Sequence, residues 1–473
     1  MLKKLLIISL IGVALTNAQT PKIQNSLQNT LERNGKANVI IRFKQETQPI
    51  LVQVNNKRFD SRGNKISFLK TQLEQLARDS QTEVISILLS SKSVIHFESF
   101  WINNKIFVKN ASQELIQKIA EIPNVTEIRE ELVAHINRNQ ERAYPANTKQ
   151  DEVQWGVGRI EADQAWELVG GNHGEGIVVA NIDTGVRRTH EALRDNYRTT
   201  YGWYDAFARV PNPLDIDGDG THSMGIIAGT RNGIGVAPGV QWIACKACEY
   251  AYCDEVDLLK CGEWILCPTT WNGQRPDCSM APNLVSNGWA VDKGNDFYAE
   301  VIGAWHAANI IPIFEVGDGP NNCETVQSPG DYSNVITVGS FDPSNTLKSN
   351  SGRGPTMDGR IKPDLTAPGH EIISAGYEGD YEYETLYGYS TSTACPHVAG
   401  TVALLLARNP DLTFDQIKDL LQDNADREVG STLVCGGTNY TTWPNNMYGH
   451  GRVNARRALA SLIGGFTSVA PEI

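Results

Sequence analysis

The apolar run "GIVVANIDTG" ends on Asp183, where a strand would present a carboxylate at its carboxyl end. In "GYSTSTACPHVAGTVALLLA", Ser392 stands where a loop turns into an apolar helix, and a helix N-terminus favours negative charge developing beside that hydroxyl. The stretch "DIDGDGTHSMGIIAG" sets Asp215, Asp217 and Asp219 at alternate positions ahead of Gly220. A hydroxyl among carboxylates can act as a nucleophile whose proton a carboxylate accepts. The alternate aspartates also read as the opening of a calcium loop. The bidentate acid that closes such a loop would fall at position 226, which is Ile. A looser structural calcium site on Asp215 and Asp217 stays open, and no other cofactor is implied.

These residues need a scaffold. "GIVVANIDTG", "IIPIFEVGDG" and "NVITVGSF" are near-continuous apolar runs, as expected of parallel strands covered on both faces. "TFDQIKDLLQDNA" opens with a capping box, Thr413 with Gln416. The alternation predicts a doubly wound α/β fold with a mostly parallel sheet, whose sites lie at the carboxyl ends of the strands. Ahead of it, residues 19–145 read as a small α+β unit. "ANVIIRF" and "KIFVKN" are its strands, and "SQELIQKIAEI" is a helix capped by Ser112 with Leu115, Ile116 and Ile119 on one face. "INRNQERAYPANTKQDE" reads as an exposed linker open to proteolysis.

Together with "GTHSMGIIAG", "NGIGVAPG", "SPGDYSNVITVGS" and "IKPDLTAPG", these stretches resemble in order the motifs of the subtilisin-like serine proteases, over nearly all of residues 155–460. The resemblance implies a sheet of subtilisin type and a peptidase acting on protein or peptide substrates. It also implies an inhibitory propeptide at the front. Asp183 matches the family's triad Asp, and Ser392 in "STSTA" matches the Ser of "GTSMA". The family's base is the first His of "HGTH"; here "DGTH" puts Asp219 in that place. His222 matches the second His, which in the family supports structure. The oxyanion-hole Asn of the family's "GN" becomes Asp318 in "IFEVGDGP". "SNGWA" places Ser286, Gly288 and Trp289 on the strand that in the family binds substrate backbone. Lys362, Pro363 and Pro368 match a structural signature, and Cys395 stands where the family has a small residue.

The two departures admit opposite readings. Losing the base lowers turnover about a millionfold in subtilisin itself. Losing the oxyanion donor lowers it about 10²–10³-fold, again measured on subtilisin. On that arithmetic the chain is a pseudoprotease, a binding or decoy protein. Alternatively, Asp219 and Asp183 form a carboxyl pair that takes the Ser392 proton, and a protonated Asp318 donates to the oxyanion. This arrangement resembles the sedolisins, acid peptidases that pair Ser with carboxylates and place an Asp in the oxyanion hole. Their two acids lie a turn apart on one helix, whereas the residue a turn after Asp219 is Ser223. A displaced imidazole, His190 or His222, is a further alternative. Two carboxyls at two catalytic positions, beside intact Asp183 and Ser392, favour an acid-active serine endopeptidase.

Residues 1–18 have the form of a secretory signal: Lys3 and Lys4, the short apolar run "LLIISLIGVAL", then Thr16 and Ala18. The domain order is therefore signal 1–18, propeptide-like unit 19–145 and peptidase domain 146–473. The expected product is secreted, with no membrane anchor, and a monomer; an acidic lysosome-like compartment would also fit. Nine cysteines in an exported chain imply disulfides. Cys245 and Cys248 alone resemble half a zinc site, but no His lies in that region and disulfides are the expected use of its cysteines. An odd count leaves one thiol, expected to be Cys395. Charge is divided: residues 19–150 carry a net +6, and the rest beyond the signal carries −20. So acidic a main domain excludes nucleic acid as a partner and would attract its own front segment. Asn110, Asn124 and Asn439 lie in glycosylation sequons.

Overall fold

A computed structural model describes residues 22–464 apart from 93, 95, 137–142, 147–151 and 387–389. The signal segment and most of the linker lie outside the described residues.

The front unit is an antiparallel sheet of β1 (Lys36–Phe43), β2 (Phe97–Phe100), β3 (Lys105–Ser112) and β4 (Val125–Glu130), in the order β2-β3-β1-β4. The helices that cover it include α1 (Arg62–Ser90) and α2 (Gln113–Ala120). α2 begins as its sequence requires: Ser112 Oγ accepts the Leu115 N–H at 3.3 Å, and Leu115, Ile116 and Ile119 are buried. α1 serves two cores. Val84 and Leu88 pack with Val39, Ile41 and Ile106 inside the front unit. Ile66, Leu69 and Leu73 instead share a core with Trp264, Tyr298 and Trp305 of the main body.

Two short strands then leave the front sheet, β5 (Val133–His135) and β6 (Ala143–Pro145). The second falls inside the stretch expected to be an exposed linker. It pairs with a strand of the main body, so backbone hydrogen bonding overrides a polar sequence there.

The main body is built on seven strands: β7 (Val178–Asp183), β8 (Trp203–Asp205), β9 (Gln241–Lys246), β11 (Leu284–Asn287), β12 (Ile311–Glu315), β13 (Ile336–Phe341) and β14 (Leu365–Pro368). Between β9 and β11 lies β10 (Tyr252–Asp254), which pairs outside this sheet. The order is β8-β9-β7-β11-β12-β13-β14, and every pairing is parallel. β7 enters mid-sheet; the chain builds β8 and β9 on one side, then returns to build β11 to β14 on the other. That reversal opens a crevice at the carboxyl ends of the central strands. A hairpin of β15 (Ile372–Ala375) and β16 (Tyr383–Leu386) follows, and β16 is the partner of β6.

Four helices matter to the site: α3 (Asp219–Ala228), α4 (Glu255–Leu266), α5 (Thr391–Arg408) and α6 (Phe414–Asp423). α3 and α5 lie on one face, where Met224, Ile227, Val398 and Val402 pack with Val179. α4 lies on the other, where Leu258 and Trp264 pack with Ala180 and Ile182. Alternate residues of β7 thus face opposite cores, which is why the strand is apolar throughout. The Thr413–Gln416 capping box is present on α6. The disulfides are Cys245–Cys261, Cys248–Cys253, Cys267–Cys278 and Cys323–Cys435, and Cys395 is the buried free thiol. Among the described residues no helix is long and apolar enough to cross a membrane.

Candidate active site

Asp183 closes β7 and is 3% exposed, its Oδ1 accepting the Thr184 N–H at 2.8 Å. The N-terminus of α3 is locked against this strand end. Gly220 N–H donates to Thr184 Oγ1 at 3.0 Å, and Asn181 Nδ2 donates to Gly220 O at 3.2 Å. Asp219 is the first residue of α3, so its carboxylate sits where the helix dipole favours negative charge. Gly218 before it has φ +104°, and a Cβ there would strike the Tyr377 ring at 2.5 Å; only glycine makes this turn. Asp215 is a structural cap. It accepts the N–H groups of Asp217, Gly218 and Thr221 and the hydroxyls of Thr184 and Thr221, at 2.7–3.0 Å. Five protein donors occupy the carboxylate that a calcium ion would need. Among the described residues no group of three or more His, Cys, Asp or Glu side chains could hold a metal.

Ser392 is the second residue of α5 and 9% exposed. Its Oγ lies 2.6 Å from Ser390 Oγ, and its N–H donates to the same Ser390 oxygen at 3.2 Å. Ser390 is the N-cap of α5. The nearest candidate imidazoles are engaged elsewhere. His222 is buried with Nε2 3.2 Å from the Ile372 carbonyl, and burial pulls its pKa down to about 4. His190 has Nε2 2.8 Å from the Glu382 carbonyl while Nδ1 accepts the Ala192 N–H, and burial lowers its pKa too. Both rings serve backbone, as structural histidines do.

Asp318 follows β12 in a tight loop. Its Oδ1 accepts both the N–H and the hydroxyl of Thr391, at 3.1 and 3.0 Å. Its Oδ2 is buried with no hydrogen-bond partner among the described residues. Burial pushes the carboxyl up to about 7, against the pull of Thr391 and then of the Ser390 and Asn350 side chains. Sequence reasoning missed the next acid. Glu315, the last residue of β12, is 1% exposed, and Thr391 Oγ1 lies 2.9 Å from its Oε2. Burial, then the charges of Asp318, Asp183 and Asp219, hold it well above the usual carboxylate range. Three acids, from β7, the loop after β12 and α3, therefore act on Glu315 beside the N-terminus of α5.

The predicted substrate strand passes close by. A Cβ on Gly288 would sit 3.0 Å from Ser392 Cβ, a tight contact that Ser392 or the strand would have to yield to. Ser286 is buried with its Oγ 3.6 Å from Cys395 Sγ. The Cys395 thiol is pushed up to about 12 by burial, so it stays protonated and inert. The Trp289 ring is fully buried, edge-on to Tyr298 and Phe314 at 5.1 and 5.3 Å. It builds the wall behind the strand and presents no ring to the cleft.

A serine hydroxyl at a helix N-terminus and an aspartate closing the first strand of a doubly wound sheet make up the candidate site. Residues 174–451 match the model of the subtilase family. The chain belongs to this family. It is 33% identical over 490 residues to Bacillopeptidase F of Bacillus subtilis, a match covering 96% of this chain but only 33% of that relative. Serine protease AprX of Bacillus subtilis is 31% identical over 332 residues, covering 63% of this chain and 70% of its own length. Subtilisin Savinase of Lederbergia lenta is 29% identical over 310 residues, covering 65% and 98%.

In this subtilase the strand edge beside Gly288 is already covered. β5 pairs with β10 on one side, while on the other His135 exchanges N–H···O bonds of 2.8 and 3.0 Å with Ala290. The front unit is fixed by ions as well as by the shared apolar core. Arg129 donates two bonds to Glu255, of 2.7 and 2.6 Å, and Lys105 donates to Glu300 at 2.9 Å. The opposed charges of the two segments meet at this interface.

Proposed function

We propose that the chain is a subtilisin-fold serine endopeptidase working in acid, with a carboxyl in place of the imidazole. The observation that carries the reading is Asp318: a half-buried residue whose Oδ1 takes both Thr391 donors and whose buried Oδ2 has no hydrogen-bond partner among the described residues, at the family's oxyanion position. The engaged state of His190 and His222 supports it further.

Ser392 Oγ attacks the scissile carbonyl carbon and passes its proton to the ionised member of the Asp219–Asp183 pair. The oxyanion accepts hydrogen bonds from Asp318 Oδ2–H and from the Ser392 N–H, which turns from Ser390. The proton then moves to the leaving amine as the C–N bond breaks. Water reverses the sequence on the acyl-enzyme. The pH dependence has a definite sign. Asp318 must keep its proton, so the rate falls as pH rises through about 7. The carboxyl pair must keep one negative charge, so the rate also falls at the acid extreme.

The front unit is the inhibitory propeptide of this reading. It lays β5 along the edge where substrate backbone would pair, and processing in the linker 136–152 would free the cleft. The product is exported, and its substrates are unfolded proteins or peptides. The test is cleavage of an unfolded protein by the processed chain from pH 3 to 8, beside Ser392→Ala. Ser392-dependent cleavage confined to acid is expected. A neutral optimum would return the role to an imidazole, and no Ser392-dependent cleavage at any pH would leave a catalytically silent subtilase.

A further inference from the structure

One hydroxyl proton is asked to serve two carboxyl groups. Thr391 Oγ1 lies 2.9 Å from Glu315 Oε2 and 3.0 Å from Asp318 Oδ1. A threonine hydroxyl carries a single proton and accepts through its lone pairs. Were both carboxyls ionised, one of these contacts would set two acceptors against each other. One carboxyl must therefore donate to Thr391. Asp318 Oδ1 already accepts the Thr391 N–H, which marks it as an acceptor. Glu315 Oε1 is buried with no hydrogen-bond partner among the described residues. An orphaned oxygen is tolerable as the carbonyl of a neutral acid and very costly on a carboxylate. The titratable groups that face Glu315 point the same way: Asp318 from its own loop, Asp183 from β7, Asp219 from α3 and the neutral Cys395 thiol from α5.

We infer that Glu315 is a permanently neutral acid that donates to Thr391, so that Thr391 donates to Asp318 Oδ1 and the acid proton of Asp318 is confined to Oδ2. Glu315 is thus a positioning residue. It touches no substrate, but it selects which oxygen of Asp318 carries the proton, and only Oδ2 is free to meet an oxyanion. Without it the Thr391 hydroxyl can turn away, and the Asp318 proton can settle on the oxygen that faces the helix. The inference rests on the reading of Asp318 as the oxyanion donor, but its protonation arm can be measured without turnover.

The first measurement is the infrared carbonyl stretch of protonated carboxyls in the full chain carrying Ser392→Ala, at pH 5 and pH 9. Several buried acid bands are expected at pH 5, Glu131 and Glu263 contributing some of them, so the two of interest are assigned by variant-minus-parent difference spectra. The band lost in Asp318→Asn should vanish by pH 9; the band lost in Glu315→Gln should persist at pH 9. A pH 9 spectrum from which Glu315→Gln removes no acid band overturns the inference whether or not the protein is active. The second measurement is kinetic. Glu315→Ala should lower kcat about tenfold or more at acid pH with KM nearly unchanged, the pattern of a contact made only in the transition state. Glu315→Gln, whose amide can donate to Thr391, should recover most of that loss. Equal losses in the two variants, with both folded, would overturn the positioning role. Absence of turnover in the parent enzyme would instead count against the proposed function alone.

Discussion

An ionised carboxylate at position 318 would repel the charge that the family's asparagine attracts, so the two acidic substitutions cannot be judged singly. Restoring only the imidazole would supply a base that is neutral near pH 7, where Asp318 loses its proton. Asp219→His alone should therefore remain slow. Asp219→His with Asp318→Asn should cleave at pH 8, exceeding the single variant by about 10²–10³-fold, the usual worth of an oxyanion donor. Initial rates at pH 5 and pH 8 for the four members of the cycle check this; a fully active single variant at pH 8 would remove Asp318 from the mechanism. At this scale the sequence singled out Asp183, Ser392 and Asp318, because motif and chemistry coincide there. It was silent on Glu315, which stands in "IIPIFEVGDG" as an ordinary polar end to a strand. Its meaning comes from Thr391, 76 positions away in the chain. Ser390 was equally hidden: a serine ahead of a helix reads as a cap, and nothing local says that it also touches Ser392.

The elements bring these groups together by close approach. Just beyond β11 the chain passes α5 closely at Gly288, where a Cβ would meet Ser392 Cβ at 3.0 Å and force a shift. Gly288→Ala should push the nucleophile out of line and lower kcat/KM about a hundredfold, since a displacement near 1 Å can have that effect. Circular dichroism and thermal melting should stay close to the parent; a full loss of fold would show that the contact is structural first. Ser390→Ala removes the cap of α5 and should destabilise the protein by about 1 kcal/mol, read as a lower denaturation midpoint. The strands that carry the site were readable because both faces of the sheet are covered and their sequences are apolar throughout. Helix α2 and the start of α6 were readable from Ser112 and Thr413. The long helix α1 was not singled out, because its buried seam mixes apolar residues with Ser80 and Gln81. Those two are satisfied by Asn104, again a partner distant in sequence.

Taken whole, the molecule sets the chemistry of its cleft against the hold of its own front unit. Glu263 on α4 accepts the N–H groups of Trp101 and Ile102 at 2.6 and 3.2 Å, and burial pushes it up to about 8. Glu131 accepts the Val256 N–H at 3.2 Å and is pushed up by burial to about 7. Once the units separate, both acids return to water and to a value of about 4.3. A carboxyl raised by docking contributes to the docked state fully below its free value, and that contribution is lost as pH rises through the docked one. The hold should thus be tightest in acid, where the proposed chemistry is also fastest, and should loosen between about pH 7 and 8. After one cut in the linker, the two fragments of the Ser392→Ala protein should co-elute at pH 5 and separate at pH 8.5. Tighter association at pH 8.5 would sink the argument. The Arg129–Glu255 pair adds an ionic share to the hold. Its Glu255 side is fully buried, so Arg129→Ala should weaken association by about 3 kcal/mol or more, at least a hundredfold. Added salt should matter less than the opposite net charges suggest, because buried pairs are screened least. Activation in acid then cannot rely on the front unit simply drifting off. It requires either a further cut within that unit or passage through a neutral environment, and a time course of processing at constant pH 5 separates the two: intact front unit accumulating on an inactive enzyme would mean that a neutral step is needed.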